Sequence, residues 1–145
     1  FRVITVKEAK EIYGEEDYEK KLSLDSEVPV WLTDIPLMER EFYDKQDLEK
    51  PEVLLDFDLI WPEGYGEGIS GGEREHEYDQ IIRRMEIKGN TKEHFSEYLK
   101  IAKEGMLKHS CGCGIGIERF TRFILGIKHV EDARLFAKAP GKHSL

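Results

Sequence analysis

A handful of polar side chains and one glycine-rich stretch carry the chemistry of this sequence. Asp58 interrupts the apolar run "EVLLDFDLIW" (52–61). A carboxylate in such a run needs a cleft or a partner, because burying an unpaired charge is costly. Glu67 opens the next run, "EGISGG" (67–72). If the two runs pair as a hairpin with Trp61 opposite Gly66, Asp58 faces Ile69 and Glu67 faces Ile60. The two acids are then diagonal neighbours, roughly 7–8 Å apart at Cα. Carboxylates at that separation share a Mg²⁺ through their oxygens or through water.

Arg74 follows in "GISGGERE". Ser70-Gly71-Gly72 leaves the strand end nearly bare, which permits close approach of a ligand or of another chain segment. The spacing predicts a helix from about Glu73, so Arg74 would oppose the helix dipole and need a negative partner. Glu67 or Glu77 could serve, and so could a substrate carboxylate held bidentately.

The third element is "GCGIGIERF" (112–120). Its glycines fall at every second position, unlike the G-x-G-x-x-G dinucleotide fingerprint. Strand alternation puts Gly112, Gly114 and Gly116 on one flat face, with Ile115 and Ile117 opposite. A planar ring could lie on that face while Arg119 stacks on it and reaches a phosphate. Alternatively the face admits a tightly packed helix and Arg119 is salt-bridged. His109, Cys111 and Cys113 form H-x-C-x-C, three ligand types without an obvious fourth. Small residues lining a strand account for that pattern better than a zinc site.

These residues need a scaffold. "FRVIT" reads as a strand, and Thr5 with Glu8 forms a capping box for a helix that stops at Gly14. "EEDYEKKLSL" supplies one or two helical turns. "VPVWLTD" (28–34) is a strand, and residues 37–51 are loop anchored by "EFY". The 52–61 run is a single central strand. Helices are predicted from Glu73 to Lys88, beyond Asn90 or Thr91, and from Glu118 to Leu125 before Gly126. Phe95, Tyr98, Leu99, Ala102 and Met106 recur at helical spacing as core. A strand spans 111–117, and the last twenty residues are irregular. The order predicts an α+β fold, an antiparallel sheet flanked by helices.

The chain has 145 residues, 39% hydrophobic and 36% charged. That suits one globular domain. A net charge of -8 disfavours a general nucleic-acid module, although a few placed arginines and a metal still bind ATP. No apolar run approaches the roughly 18 residues of a membrane span. Two cysteines are too few for a disulfide scaffold and fit a cytoplasmic setting. The start at Phe1 suggests a processed or partial polypeptide.

Taken together, "DLIWPEGYGEGISGGERE", a helix and "GCGIGIERF" resemble the C-terminal half of class II aminoacyl-tRNA synthetase catalytic domains, aspartyl/asparaginyl subgroup. That pattern is D-L-x-x-P, G-E-x-x-G-G-S-x-R-E and then motif 3, here residues 112–119. "VWLTDIP" with "EFY" is similar to the same subgroup. The resemblance covers about residues 1–140. Motifs 1 and 2 have no counterpart in the chain, so the 1–145 domain is half of a catalytic core.

The resemblance implies roles. Arg119 would pack on adenine and touch the γ-phosphate, with Gly114 and Gly116 beneath the ring. Asp58 and Glu67 would hold the ATP-bound Mg²⁺, Glu67 and Arg119 being the catalytic pair. Arg74, with Gly71, would read the amino-acid side chain. Gly72 replaces the usual Ser, Glu73 the usual Gln, and Ser110 the usual His. The amino-acid pocket is thus altered and the ATP pocket kept. This resembles the archaeal asparagine synthetase paralogue of the subgroup, which implies an aspartyl-adenylate attacked by ammonia. The alternatives are an aspartyl- or asparaginyl-tRNA synthetase, with tRNA as acceptor, and a non-catalytic module that senses an amino acid or nucleotide. The complete protein is expected to be a homodimer.

Overall fold

A computed structural model describes residues 1–136. Its strands are β1 (Arg2–Thr5), β2 (Val30–Thr33), β3 (Ile35–Pro36), β4 (Val53–Leu54), β5 (Asp56–Trp61), β6 (Gly66–Arg74) and β7 (Ser110–Ile115). Its α-helices are α1 (Val6–Tyr13), α2 (Tyr18–Asp25), α3 (Tyr78–Lys88), α4 (Ser96–Lys103) and α5 (Ile117–Leu125). Short 3₁₀ turns span Lys92–Phe95 and Val130–Ala133. Five strands form one sheet in the order β1-β2-β5-β6-β7, and β3 pairs with β4 separately. The fold is α+β, with antiparallel pairing of β2 to β5 and of β3 to β4. Of the last twenty residues, 137–145 lie outside the described ones.

The chain divides into two compact units. The first holds Phe1–Leu32, Asp58–Ser70 and the chain from Gly114 on. Its first helix starts as the sequence dictates. The Thr5 hydroxyl accepts from the Glu8 amide at 3.1 Å, and the Glu8 carboxylate accepts from the Thr5 amide at 2.7 Å. Gly14 closes the helix at φ 87°, a conformation glycine adopts without a Cβ penalty. In the sheet, Val30 faces Ile60, Trp31 faces Leu59 and Leu32 faces Asp58. Val30, Leu32 and Ile60 are fully buried. Ser23 ties α2 to the β5–β6 turn: its hydroxyl donates to the Trp61 carbonyl at 2.6 Å and accepts from the Gly66 amide at 2.9 Å. Trp61 stacks on Phe123 of α5 with ring centroids 4.6 Å apart. Its indole also presses on Gly68, where a Cβ would collide with the ring.

The second unit holds Thr33–Phe57 and Gly71–Cys113. Phe42, Ile81, Met85, Leu99 and Ala102 form its core, with Phe95 and Tyr98 packed against them. Phe42 of "EFY" therefore anchors the 37–51 loop as expected. Arg84 is fully buried, and its guanidinium donates to the Leu37 and Glu41 carbonyls at 3.0 and 3.1 Å. That pair of bonds ties the same loop to α3.

Four expectations are corrected. The 52–61 run is two strands, because Leu55 leaves its register to donate its amide to Lys45, so β4 serves one sheet and β5 the other. Helix α3 starts at Tyr78, not near Glu73. The β6 ladder continues through Glu73, whose amide bonds to Leu55, and the Glu75 carboxylate then holds the His76 and Glu77 amides at 2.8 and 3.1 Å. The Glu73–Leu55 bond also shifts that end of the pair by one residue, since the expected register would set Glu73 against Leu54. Met106 is 61% exposed rather than core. Helix α4 ends at Lys103, and Gly105 at φ 68° turns the chain away.

Candidate functional site

Gly114 is the penultimate residue of β7 and Gly116 the N-cap of α5, so the chain turns there and Arg119 stands in the first turn of the helix. The Gly116 amide bonds to the Gly68 carbonyl at 3.2 Å. Arg119 reaches across and donates to the Glu67 carbonyl at 3.0 Å and to its carboxylate at 3.2 Å. A cavity of about 630 Å³ opens here, lined by Glu67, Gly68, Ser70, Gly114, Gly116 and Arg119 among others. All of these belong to the first unit.

The glycines serve different purposes. Around Gly114, no heavy atom of the described residues comes within 4 Å of where a Cβ would stand. Packing among the described residues does not demand glycine there. At Gly116 a Cβ would touch the Arg119 stem at 3.5 Å. That is ordinary contact, and Arg119 itself is salt-bridged to Glu67, the second of the two alternatives read from the sequence. The bare stretch 70–72 resolves differently. At Gly71 a Cβ would meet the Cys113 Cβ at 2.5 Å, and at Gly72 it would meet the Asp56 Cα at 2.9 Å. Both admit other chain segments.

Glu67, Gly114, Gly116 and Arg119 come together. Asp58 does not join them on a cavity wall: it is 3% exposed and sits in the β5 ladder opposite Leu32. The donors fit Mg²⁺ to the extent that Glu67 offers a hard carboxylate oxygen at an open cavity, and Mg²⁺ commonly takes one or two carboxylates and keeps waters. Among the described residues no group of three or more His, Cys, Asp or Glu side chains is arranged to hold a metal.

Arg74 and Gly71 belong to the second unit. Arg74 ends β6 instead of opening a helix. Its partner is neither Glu67 nor Glu77 but Asp44, and it lies over the Tyr43 ring at 5.2 Å. Burial pushes the Asp44 carboxyl up, and Arg74 pulls it partly back. Next to it, Glu73 accepts from His109 at 2.8 Å and from Lys45 at 3.2 Å. Those two contacts, His109 first, hold the Glu73 carboxyl below the ordinary carboxylate range. Cys111 and Cys113 are free and exposed.

Sequence reasoning missed Glu118, Val130, Glu131 and Arg134 on the cavity wall, which Ser70 of the bare stretch also lines. Arg134 pairs with Glu118 at 2.7 Å. The Glu118 carboxyl is held low, first by its own backbone N–H at the helix start and then by Arg134. The one signal was a carboxylate in the first turn of α5, where the helix dipole favours it. Nothing marked the 130–134 turn. Among the described residues no helix is long and apolar enough to cross a membrane.

Comparison with known proteins places this geometry. Residues 1–140 match the family model "tRNA synthetases class II (D, K and N)". The asparagine–tRNA ligase of Thermococcus kodakarensis is 37% identical over 126 residues, covering 87% of this chain and 29% of that protein. The asparaginyl-tRNA synthetase of Pyrococcus horikoshii superposes with a TM-score of 0.87 at 30% identity, over 100% of this chain and 37% of that one. The same enzyme complexed with asparaginyl-adenylate gives 0.84 at 28% identity, over 100% of this chain and 36% of that one. The chain therefore spans about a third of the relatives it matches. The expected ammonia-dependent asparagine synthetase finds no support in these relatives, which are tRNA ligases by name; the tRNA synthetase alternative fits them better.

Proposed function

Because the chain belongs to the class II tRNA synthetases of the D, K and N group, we propose that it is half of the catalytic core of an asparaginyl-type tRNA synthetase. In this reading it binds ATP and asparagine, forms the aminoacyl-adenylate, and passes the amino acid to tRNA. The observation that carries the reading is the cavity over Gly114, with Arg119 on one side and open space where a side chain would stand. Arginine suits this place because its planar guanidinium stacks on a base and binds phosphate bidentately.

The reaction begins as the amino-acid carboxylate attacks the α-phosphorus of ATP. The new bond joins carboxylate oxygen to phosphorus, and the bond to the bridging oxygen breaks, releasing pyrophosphate. Arg119 would hold the nucleotide and meet charge on the phosphates, an effect of positioning and electrostatics. Gly114 and Gly116 would leave room for adenine. Glu67 would hold Mg²⁺, which would neutralise phosphate charge when bound, whereas Asp58 stays buried in the β5 ladder away from the cavity. Arg74, beside Gly71, would recognise the amino-acid carboxamide once it exchanges Asp44 for substrate. The relatives' greater length leaves the rest of the nucleotide site, the tRNA contacts and the expected homodimer to the remaining chain. A cytoplasmic location accords with two free cysteines.

The test is asparagine-dependent ATP–pyrophosphate exchange in the full-length protein. Arg119→Ala should reduce it by about a hundredfold or more, the scale for losing one charge-stabilising donor. Undiminished exchange would remove Arg119 from the site. Charging of tRNA with asparagine, against asparagine formation from ammonium, separates the two acceptors.

A further inference from the structure

Arg122 lies one turn beyond Arg119 on α5 and has no part in the site above. Its Nε donates to the Ile127 and Lys128 carbonyls at 3.3 and 3.2 Å, and its Nη1 to the Tyr65 carbonyl at 3.3 Å. The guanidinium also lies over the Tyr65 ring at 4.8 Å. Every one of these partners is neutral. Among the described residues Arg122 forms no ion pair, so its charge is fixed in place without a counter-ion.

That charge faces a second cavity of about 450 Å³, whose wall also carries Lys20, Ser23, Gly66, Glu67 and Arg119. Glu67, Arg119 and Val130 line both cavities, so they are the shared wall. The lining holds three cations, Lys20, Arg119 and Arg122, against two carboxylates, Glu19 and Glu67. A net positive cavity stands out in a chain of net charge -8. Lys20 is exposed on α2, and among the described residues it makes no hydrogen bond or ion pair that would neutralise it. Two guanidinium forks one helical turn apart, with a lysine on the same cavity wall, match the oxygens of linked phosphates better than a single carboxylate.

We propose that this second cavity is an oligophosphate subsite that accepts inorganic pyrophosphate as it leaves the nucleotide, with Arg119 as the hinge between the two cavities. The inference rests on the adenylate-forming reading, since that reaction supplies pyrophosphate. The leaving group needs no proton to depart, so a purely electrostatic receptor suffices.

The test is a titration of the chain with inorganic pyrophosphate, followed by amide and arginine Nε resonances in nuclear magnetic resonance, with ATP in a parallel titration. Pyrophosphate should shift Gly64, Gly66 and the Arg122 Nε signal. Lys20→Glu, a surface change that leaves packing intact, should weaken pyrophosphate binding about fivefold or more. Arg122→Gln should weaken it further, with the Lys20 variant covering the case in which Arg122→Gln loosens α5. Pyrophosphate shifts confined to Gly114, Gly116 and Arg119, or an unchanged affinity in Lys20→Glu, would overturn the proposal. Shifts at Arg122 with pyrophosphate, but none at Gly114 with ATP, would support the subsite and count against the adenylate reading alone.

Discussion

Gly114→Ala and Gly71→Ala should separate binding from folding. Both add one methyl to a strand. At Gly71 the new Cβ would stand 2.5 Å from the Cys113 Cβ and 2.7 Å from its Cα. Backbone cannot rotate away as a flexible side chain can, so β7 must shift. Overpacking of this kind costs about 1–3 kcal/mol. For a chain of this length that is roughly 3–9 °C in Tm, at about 3 °C per kcal/mol. At Gly114 no heavy atom of the described residues is in reach. There the substitution should be silent, or stabilising by up to about 1 kcal/mol, because alanine narrows the unfolded ensemble. Its cost should appear with nucleotide. A methyl beneath adenine lifts the ring by about 1 Å and forfeits a quarter to a half of the dispersion well of the lifted atoms. A tenfold rise in ATP Kd, about 1.4 kcal/mol, is the expected scale. Differential scanning calorimetry gives Tm, and isothermal titration gives Kd. If Gly114→Ala melts as early as Gly71→Ala, the open-face argument fails. If its ATP affinity equals that of the wild type, Gly114 does not lie under the base.

Three further outcomes follow from the second unit, with one control residue, Ile12, in the first. The Glu73 carboxyl is held low by His109 and Lys45. A depressed folded-state value contributes stability above the ordinary glutamate value, and that stability is lost as pH falls through the folded one. Urea midpoints of Glu73→Gln and wild type should therefore differ at pH 6 and converge as the pH is lowered through the folded-state value; a constant gap would exclude the ion contacts as its cause. Arg84→Met should cost about 2 kcal/mol, because it strips the part-buried Leu37 and Glu41 carbonyls of their donor; a more stable variant in urea would show the buried charge to be the larger penalty. Ile81→Ala should cost about 2–5 kcal/mol as a core cavity, whereas Ile12→Ala, at a residue 58% exposed, should fall within about 0.5 kcal/mol.

Local signals in the sequence carried far. Thr5 with Glu8, Gly14, Gly89 and Gly126 mark helix ends through short-range hydrogen bonds and positive φ, and these need no tertiary context. Gly114, Gly116 and Arg119 were legible as neighbours because alternation and the following helix start fix their geometry, and Glu67 of β6 lines the same cavity. The failures are tertiary. Leu55 sits in an apolar run that looks continuous, yet its amide is claimed by Lys45, and no window of sequence shows that. Glu75 reads as a helix former, but its carboxylate holds the next two amides and delays α3. Arg74 was paired with nearby acids in the chain, whereas Asp44, thirty residues away, holds it. Asp58 was expected at a cleft or with a partner, and its ladder position opposite Leu32 depends on β2.

If Arg119 and Glu67 act as proposed, their pair makes the site an exchange of partners. A phosphate that takes the guanidinium must first release the Glu67 carboxylate, which pays part of the cost in lost ion pairing. The released carboxylate is then free for a cation. Anion and cation would thus load in a linked fashion, each raising the affinity of the other by the same factor, as reciprocity of coupling requires. Mutating either side should abolish that linkage while leaving a weaker, independent affinity for the remaining ion. Calcium or magnesium titrations with and without a non-hydrolysable ATP analogue would read it, and equal metal affinities in both would show that the pair is only a clasp.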